Sequence, residues 1–510
     1  MPNDATTPIL ISAGQFIDRS NSEDGHTPVQ MIAQAIEEAK KSLSCTQLFN
    51  NIDVVACSGL TVDAKQVKTP VSRMVKNVPL AAATAAGLKA KRYVYAETGG
   101  NTPQMMVNHF AKSIAKGECE TVVLAGGEAL HTMNLRFNHW SKFLRPKRHW
   151  KDQIGPAPEM IGEARDGSSD YENAYAMNLP ANVYPMFENA LRAQAGRSIE
   201  DHQTYICELF ARISNVASSN PLAWFENPPQ QTDLLEQGQH NRMVAFPYRK
   251  RLNSMILVNQ SAALVMTTVA RAKALAIPSE KWVYLHGYAD GYDIWNVSQR
   301  INYHSSPAMS ELFARALSMA NRSIDDIATF DIYSCFPSAV QIACDAMGIS
   351  HNDSRSISLT GGLPYFGGPG NNYSMHAIAE MLSWARKNPT EIGMLNANGW
   401  YLTKHSIGVY SQLPPERDFR VDEQLNQAVE HAPQLNQDAQ GDASIETYTV
   451  LHNRQDKPNK SIIIARTTDG QRCLATTDNQ LDTLTRLMKE EAIGLKGQLV
   501  RRGNKTLFEF

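Results

Sequence analysis

Residues 361–374 read GGLPYFGGPGNNYS. Seven of these fourteen residues are Gly or Asn, and two are Pro. Immediately downstream, Ile378, Met381, Leu382 and Ala385 recur at spacings of three and four, the signature of an apolar helix face. A long Gly-rich loop therefore runs into a helix N-terminus. Glycine lets backbone N–H groups come close to a ligand, and the helix end adds unpaired donors and a positive partial charge. Such a loop can hold a phosphate, a carboxylate or a developing oxyanion, and it can equally be a long turn between two elements. Its surroundings favour a site. Asp331-Ile-Tyr333-Ser-Cys335-Phe336 lies upstream and Lys404-His405-Ser-Ile-Gly408 downstream.

Outward from the loop, the pattern predicts strand 282–287, helix 310–320, strand 329–333, helix 338–347, helix 374–386 and strand 393–397. The first part of the chain reads alike. Strands are expected at 9–12, 52–56, 93–96 and 121–125, and helices at 29–43, 71–88 and 103–116. Thr102 reads as an N-cap, with Pro103 at the first helical position. Alternating strands and helices predict a layered, parallel sheet. The halves can be laid over one another: Gly99-Gly100-Asn101-Thr102 opens one helix, and Gly367-Gly368-Pro369-Gly370-Asn371 opens its counterpart. Each helix leads to a strand closing on Gly, Gly126 in one half and Gly399 in the other. Two related units, each with a Gly-rich loop, point to one site where they meet.

Residues 131–250 depart from this rhythm and read as an insertion covering one end of the sheet. Their basic and aromatic run, from Arg136 through Trp140, Lys142, Arg145, Lys147 and Arg148 to Lys151, suits either the phosphates of a cofactor tail or a solvated face. Residues 412–446 read as a linker with net charge −6, helical over 421–430 and otherwise flexible. Residues 447–510 read as a separate small β-barrel with one helix near 481–491 and hairpin turns at Asp469-Gly470 and Gly503-Asn504. This unit carries a net charge of +4 and no aromatic stacking platform, which argues against nucleic acid.

Composition narrows the class further. Of 510 residues, 43% are apolar and 20% charged, and the net charge is −2, so no polyanionic partner is implied. The seven cysteines form no Cys-x-x-Cys pair, which favours a reducing compartment over a disulfide framework or structural zinc. The chain opens without a basic, apolar leader and has no run long and apolar enough for a membrane span; a cytoplasmic location is expected.

These motifs resemble the thiolase superfamily over about residues 5–411, and within it the thiolases related to sterol carrier protein. The family's His-Asp-Cys-Phe motif matches Tyr333-Ser334-Cys335-Phe336. Its Gly-Gly…Gly-His-Pro-x-Gly loop matches Gly361-Gly362…Gly367-Gly368-Pro369-Gly370, and its Gln-His-Asn-Ile-Gly segment matches Lys404-His405-Ser406-Ile407-Gly408. The tail looks like the extra domain of thiolase-like proteins of type 1. The resemblance implies an α/β fold, a duplicated five-layered α-β-α-β-α sandwich with a small β-barrel-like C-terminal domain. Residues 1–278 would form the first half with its insertion at about 131–250, 279–411 the second half, 412–446 an acidic linker and 447–510 the C-terminal domain.

The resemblance also implies acetyl-CoA acetyltransferase-type chemistry, with coenzyme A or acyl-CoA as substrate or ligand and neither a covalently bound cofactor nor a metal. A protein partner of the barrel, or a second copy of the chain, follows from the same likeness. The departures bear on mechanism. A thiolase carries a nucleophilic cysteine where this chain has Gly99, Gly100 and Asn101; its loop histidine is Gly368, and its motif histidine is Tyr333. Cys335 and His405 are retained and could form a thiol–base pair, with backbone amides near Gly100 or Gly368 as an oxyanion hole and Asn101 and Asn371 lining the loops. Cys335 as a small buried hydrophobe, His405 as a core histidine and Asn371, Asn372 and His376 as capping or turn residues are the alternatives. So is a non-catalytic acyl-CoA or lipid-metabolite binder.

Overall fold

The computed structural model describes residues 2–43, 45–64, 74–137, 151–423, 426–427 and 432–510. The first half runs β1 (Pro8–Ile17), α1 (Pro28–Leu43), β2 (Ile52–Ser58), α2 (Val78–Ala85), β3 (Ala90–Ala96), α3 (Thr102–Ala115) and β4 (Val122–Ala129). An insertion follows, with β5 (Glu159–Ile161), α4 (Pro180–Gln194), α5 (Ile199–Ser219) and the short strands β6 (Met243–Ala245) and β7 (Tyr248–Arg249). β8 (Asn259–Thr268) closes this half. The second half runs β9 (Val283–Tyr292), α6 (Pro307–Ala320), β10 (Ile327–Ile332), α7 (Pro337–Met347), α8 (Tyr373–Lys387), β11 (Ile392–Gly399) and β12 (Lys404–Ser411).

The halves share one topology. Strands β2, β4, β8 and β1 lie side by side in that order, and β10, β11, β12 and β9 repeat it. In each set the first pair is parallel and the next two are antiparallel. β3 pairs on the outside of β2, and in the second half the carbonyls of Ser356 and Ile357 take that place, accepting from Phe330 and Ile332 at 2.8 and 3.0 Å. Even the helix–strand crossings repeat. A Cβ on Gly14 of β1 would stand 2.3 Å from the Ala35 carbonyl of α1, and one on Gly287 of β9 would stand 2.1 Å from the Ala316 carbonyl of α6. Only glycine permits so close an approach.

α3 and α8 are the inner layer. Each is buried on nearly all sides, as their apolar and small residues require, whereas α1 and α6 show one wet face. β1 and β9 pair through Ile9 opposite Tyr284 and Leu10 opposite Val283, which joins the two sets of strands into one continuous sheet. The helix expected over 71–88 is shorter, Val78–Ala85, and residues 71–73 lie outside the described residues.

The C-terminal unit comprises β14 (Gly441–His452), β15 (Pro458–Thr467), β16 (Arg472–Ala475), α9 (Leu481–Lys489), β17 (Lys496–Arg502) and β18 (Lys505–Glu509), after a short β13 (Asn426–Gln427). The order is β16-β15-β14-β17-β18, and a bridge between Thr476 and Leu507 brings its two ends together. Both expected hairpins are present. The unit is not separate, however. β6 pairs with β14. Arg192 of α4 makes a two-pronged ion pair with Glu491 at 2.7 Å, and buried Arg472 bonds Glu446 and the Ser298 carbonyl.

Nor is the linker loose. The Tyr288 hydroxyl bonds the backbone at Arg420 and Asp422, Phe419 stacks on the Tyr288 ring at 5.5 Å, and Arg315 pairs with Asp422 at 2.8 Å. In place of the helix expected over 421–430, residues 426–427 are extended and pair with Gly291 and Tyr292 of β9; 424–425 and 428–430 lie outside the described residues. Acidic side chains that pair with the core's own cations hold this stretch extended, an effect composition alone does not carry. Among the described residues no helix is long and apolar enough to cross a membrane.

Candidate functional site

Each inner helix pushes its N-terminus among the strand ends of the opposite half. The N-terminus of α3, Gly99-Gly100-Asn101, meets Tyr333 after β10, Asn398 and Gly399 of β11, and Lys404 and Ser406 of β12. The N-terminus of α8, Gly370-Asn371-Asn372, meets Ser58 and Gly59 after β2 and Gly126 and Glu128 of β4. The Ser374 hydroxyl joins the two by donating to the Gly100 carbonyl at 2.6 Å.

At the first of these sites, the place a side chain on residue 100 would take is filled. An ideal Cβ on Gly100 would lie 2.2 Å from the Tyr333 hydroxyl oxygen and 2.5 Å from the Asn398 carbonyl. The Tyr333 ring stands edge-on to Tyr373 at 5.5 Å. Burial raises the Tyr333 phenol far above its usual range, so it is a neutral O–H. Thr102 opens the helix as its first residue, and its hydroxyl donates back to the Glu97 carbonyl at 2.8 Å instead of capping.

Cys335 is buried, and burial pushes its thiol up to about 12; the Tyr184 hydroxyl and the Asn398 amide beside it offset this only in part. The Asn398 amide nitrogen is 4.0 Å from the sulfur. His405 is fully buried, both ring nitrogens lack a partner, and burial lowers its pKa to about 4. At neutral pH the pair is thus a thiol and a neutral imidazole. No hydrogen bond joins them, and they share a neighbour in Asn398, which lies opposite His405 across β11 and β12. The turn between these strands is strained: Trp400 and Leu402 both have positive φ, +58° and +56°. The Tyr184 hydroxyl and Arg300 hold it by bonding its backbone.

The loop of α8 serves a different end. The Gly368 N–H donates to the Met255 carbonyl at 2.8 Å and cannot also serve an oxyanion, which removes it from the expected hole. Asn371 and Asn372 donate to the Gly59 and Gly126 carbonyls at 2.9 and 2.8 Å, and neither caps its helix. His376 bonds Gln15 at 2.7 Å inside the core, and burial drops its pKa to about 3.

Two residues beyond the expected set stand out. Lys404 is 3% exposed, yet it has no carboxylate within ion-pair distance among the described residues. Its ammonium donates to the Thr98 carbonyl at 3.2 Å, and burial lowers its pKa to about 8. Glu128 is 1% exposed, and burial raises it to about 8. Its Oε1 accepts from the Thr61 backbone and hydroxyl, both at 2.7 Å, and its Oε2 has no partner. In sequence each is one charged residue beside an apolar run, and nothing local marks it as buried. Arg136 of the expected basic run is pinned by Asp24 at 3.4 Å, while residues 138–150 lie outside the described residues.

Residues 421–504 match a family model described as the thiolase-like protein type 1 additional C-terminal domain. Along 100% of its length, and over 99% of the other chain, the protein is similar to a monomeric SCP2-thiolase-like protein type 1 from Mycobacterium smegmatis, with 30% identity and a TM-score of 0.83. An Ltp2-ChsH2(DUF35) aldolase shares the fold at 16% identity over 80% of this chain and 98% of that one, with a TM-score of 0.56. The dimeric peroxisomal thiolase of Saccharomyces cerevisiae does so at 12% identity over 81% and 98%, with a TM-score of 0.55. No curated protein matches the chain by sequence.

Proposed function

The chain belongs to the SCP2-thiolase-like proteins of type 1, and from that premise we propose that it handles acyl-CoA thioesters without ever forming an acyl-cysteine. The observation that carries this reading is the Tyr333 hydroxyl 2.2 Å from the side-chain position of Gly100. A nucleophile on the N-terminus of α3 has no room. The nearest thiol, Cys335, keeps its proton at neutral pH, so it is a poor nucleophile, and buried His405 is too weak a base to change that.

What the site offers instead is a neutral phenol beside a helix N-terminus. Such a pair can hold a thioester carbonyl and donate hydrogen bonds to its oxygen as charge builds there. Chemistry of this kind transfers or cleaves the acyl group directly. The coenzyme A portion is assigned by family likeness alone. We infer that it works as a single copy, a reading supported by β5 of the insertion pairing along the outer edge of β3 at Val94–Ala96.

A purely binding role is the second reading, favoured by the lack of any bond between Cys335 and His405. Intact-protein mass spectrometry with acetyl-, butyryl- and acetoacetyl-CoA, beside a coenzyme A release assay, separates the readings. Release without a mass gain supports direct chemistry. A gain that disappears in Cys335→Ala overturns the proposal. Neither gain nor release, with binding by calorimetry, establishes the binding role.

A further inference from the structure

The C-terminal unit reaches the site through two buried arginines. Arg472 opens β16 and is fully buried, and each nitrogen of its guanidinium finds acceptors. Nε and Nη2 grip the Glu446 carboxylate of β14 at 2.8 and 2.6 Å. The remaining N–H groups leave the barrel. They bond the carbonyls of Ser298 at 3.1 Å, of Arg300, and of Ile301 at 3.4 Å, 171 to 174 residues back in the chain. The Tyr303 ring lies against the same guanidinium at 4.9 Å.

Arg300 carries the contact onward. It is buried and stands against Asp293 at 3.5 Å. Its Nη2 shares its hydrogens among the Tyr401 carbonyl at 3.0 Å, the Leu402 carbonyl at 2.9 Å and the Thr403 hydroxyl at 3.1 Å. These acceptors belong to the turn between β11 and β12, where Trp400 and Leu402 hold positive φ. Non-glycine residues stay in that region only where their surroundings hold them there. The turn follows Asn398, whose amide faces Cys335, and leads to His405. The barrel grips the turn's second support as well. The Thr447 hydroxyl donates to the Met186 carbonyl at 2.6 Å, and Asn189 donates to the Tyr448 carbonyl at 2.9 Å, which ties β14 to α4, the helix that carries Tyr184.

We propose that the C-terminal unit is a brace for the site. Arg472 fixes the 298–301 loop, and Arg300, so fixed, is the positioning residue that holds the 399–403 turn against its strain. Arginine suits both places because one planar fork bonds several carbonyls at once, and a lysine ammonium is a point charge without that fork. Each buried guanidinium has its own carboxylate, Glu446 or Asp293, as a buried cation requires. The inference does not depend on which ligand the site takes.

Hydrogen–deuterium exchange and site-resolved alkylation by iodoacetamide, both on the full-length protein, test the brace. In wild type the Leu402 and Thr403 amides are bonded and Cys335 is buried, so both reactions are slow. Arg472→Met is expected to speed exchange over 399–403 and alkylation of Cys335 by at least about tenfold each, and to leave Cys57, fully buried in β2, at its wild-type rate. Arg472→Lys keeps a charge for Glu446 but has no fork to span three carbonyls. It should show the same pattern at smaller amplitude, and it decides the matter where the methionine variant does not fold. Alkylation of Cys335 at the wild-type rate in a folded Arg472 variant overturns the brace. So does a rise that Cys57 shares equally, or faster exchange confined to the barrel.

Discussion

The N-termini of α3 and α8 occupy equivalent places in a duplicated fold, and they have been put to opposite uses. At α8, two asparagines reach across to backbone carbonyls of the other half and the Gly368 amide is taken, so that loop is a clasp. At α3, the loop is ringed by a phenol, an unpaired ammonium and an orphaned amide. The titratable groups differ in sign as well. The α8 side buries an acid, Glu128, which holds its proton, and the α3 side buries a base, Lys404, which gives its proton up easily. One fold position can thus be spent on cohesion while its symmetry mate keeps polar groups without partners.

The sharpest break of this comparison is steric. Gly100→Cys, which puts a thiol into the 99–101 segment, is expected to cost about 3 kcal/mol or more in denaturant unfolding, because the new Cβ meets the Tyr333 hydroxyl and the Asn398 carbonyl. Tyr333→Ala added to it should recover a good part. Gly126→Ala, on the clasp side, meets Asn372 Oδ1 and Ser58 Oγ at 2.1 Å each and should cost as much. A free Gly126→Ala beside a costly Gly100→Cys would end the equivalence.

Glu128→Gln comes next. The folded state keeps this proton up to about pH 8, while the unfolded chain releases it near 4.5. Wild-type stability therefore falls as pH rises through that window, and the glutamine variant should be more stable by about 4 kcal/mol at pH 8, with no gain below pH 4.5. Urea unfolding at a series of pH values reads this.

Lys404→Met gives the opposite slope and a smaller effect. The folded state releases the Lys404 proton near pH 8, and the unfolded chain keeps it to about 10.5. Wild type gains stability as pH rises between these values, so the methionine variant should lead by about 3 kcal/mol at pH 7 and lose its lead by pH 10.5. A lead that does not change with pH would mean that the lysine is already paired.

Much of this fold is legible in residues. The periods of 378–385 and 106–114, the glycines at 99–100 and 367–370 and the hairpin turns at Asp469-Gly470 and Gly503-Asn504 act locally, and local physics decides them. The absence of a cysteine at the start of α3 is legible too, since residues 99–101 read Gly-Gly-Asn. What fills its place is not, because Tyr333 lies 233 residues away in the chain. The linker and barrel illustrate the same limit. Their composition suggests independence, and Glu491, Arg472 and Asp422 tie them down through Arg192, the Ser298 carbonyl and Arg315, all far off in sequence.

The repeat, the two Gly-rich helix entries, the added β-rich tail and the lack of a cysteine at 99–101 were legible in the chain, because each is written in neighbouring residues. The fold alone made one glycine loop a clasp and left the other beside unpaired polar groups, kept Cys335 and His405 neutral and unjoined, and buried Lys404 with Glu97 and Glu163 acting on it only from beyond ion-pair distance. Those properties depend on desolvation and on the meeting of strand ends from opposite halves, and neither exists until the chain has folded.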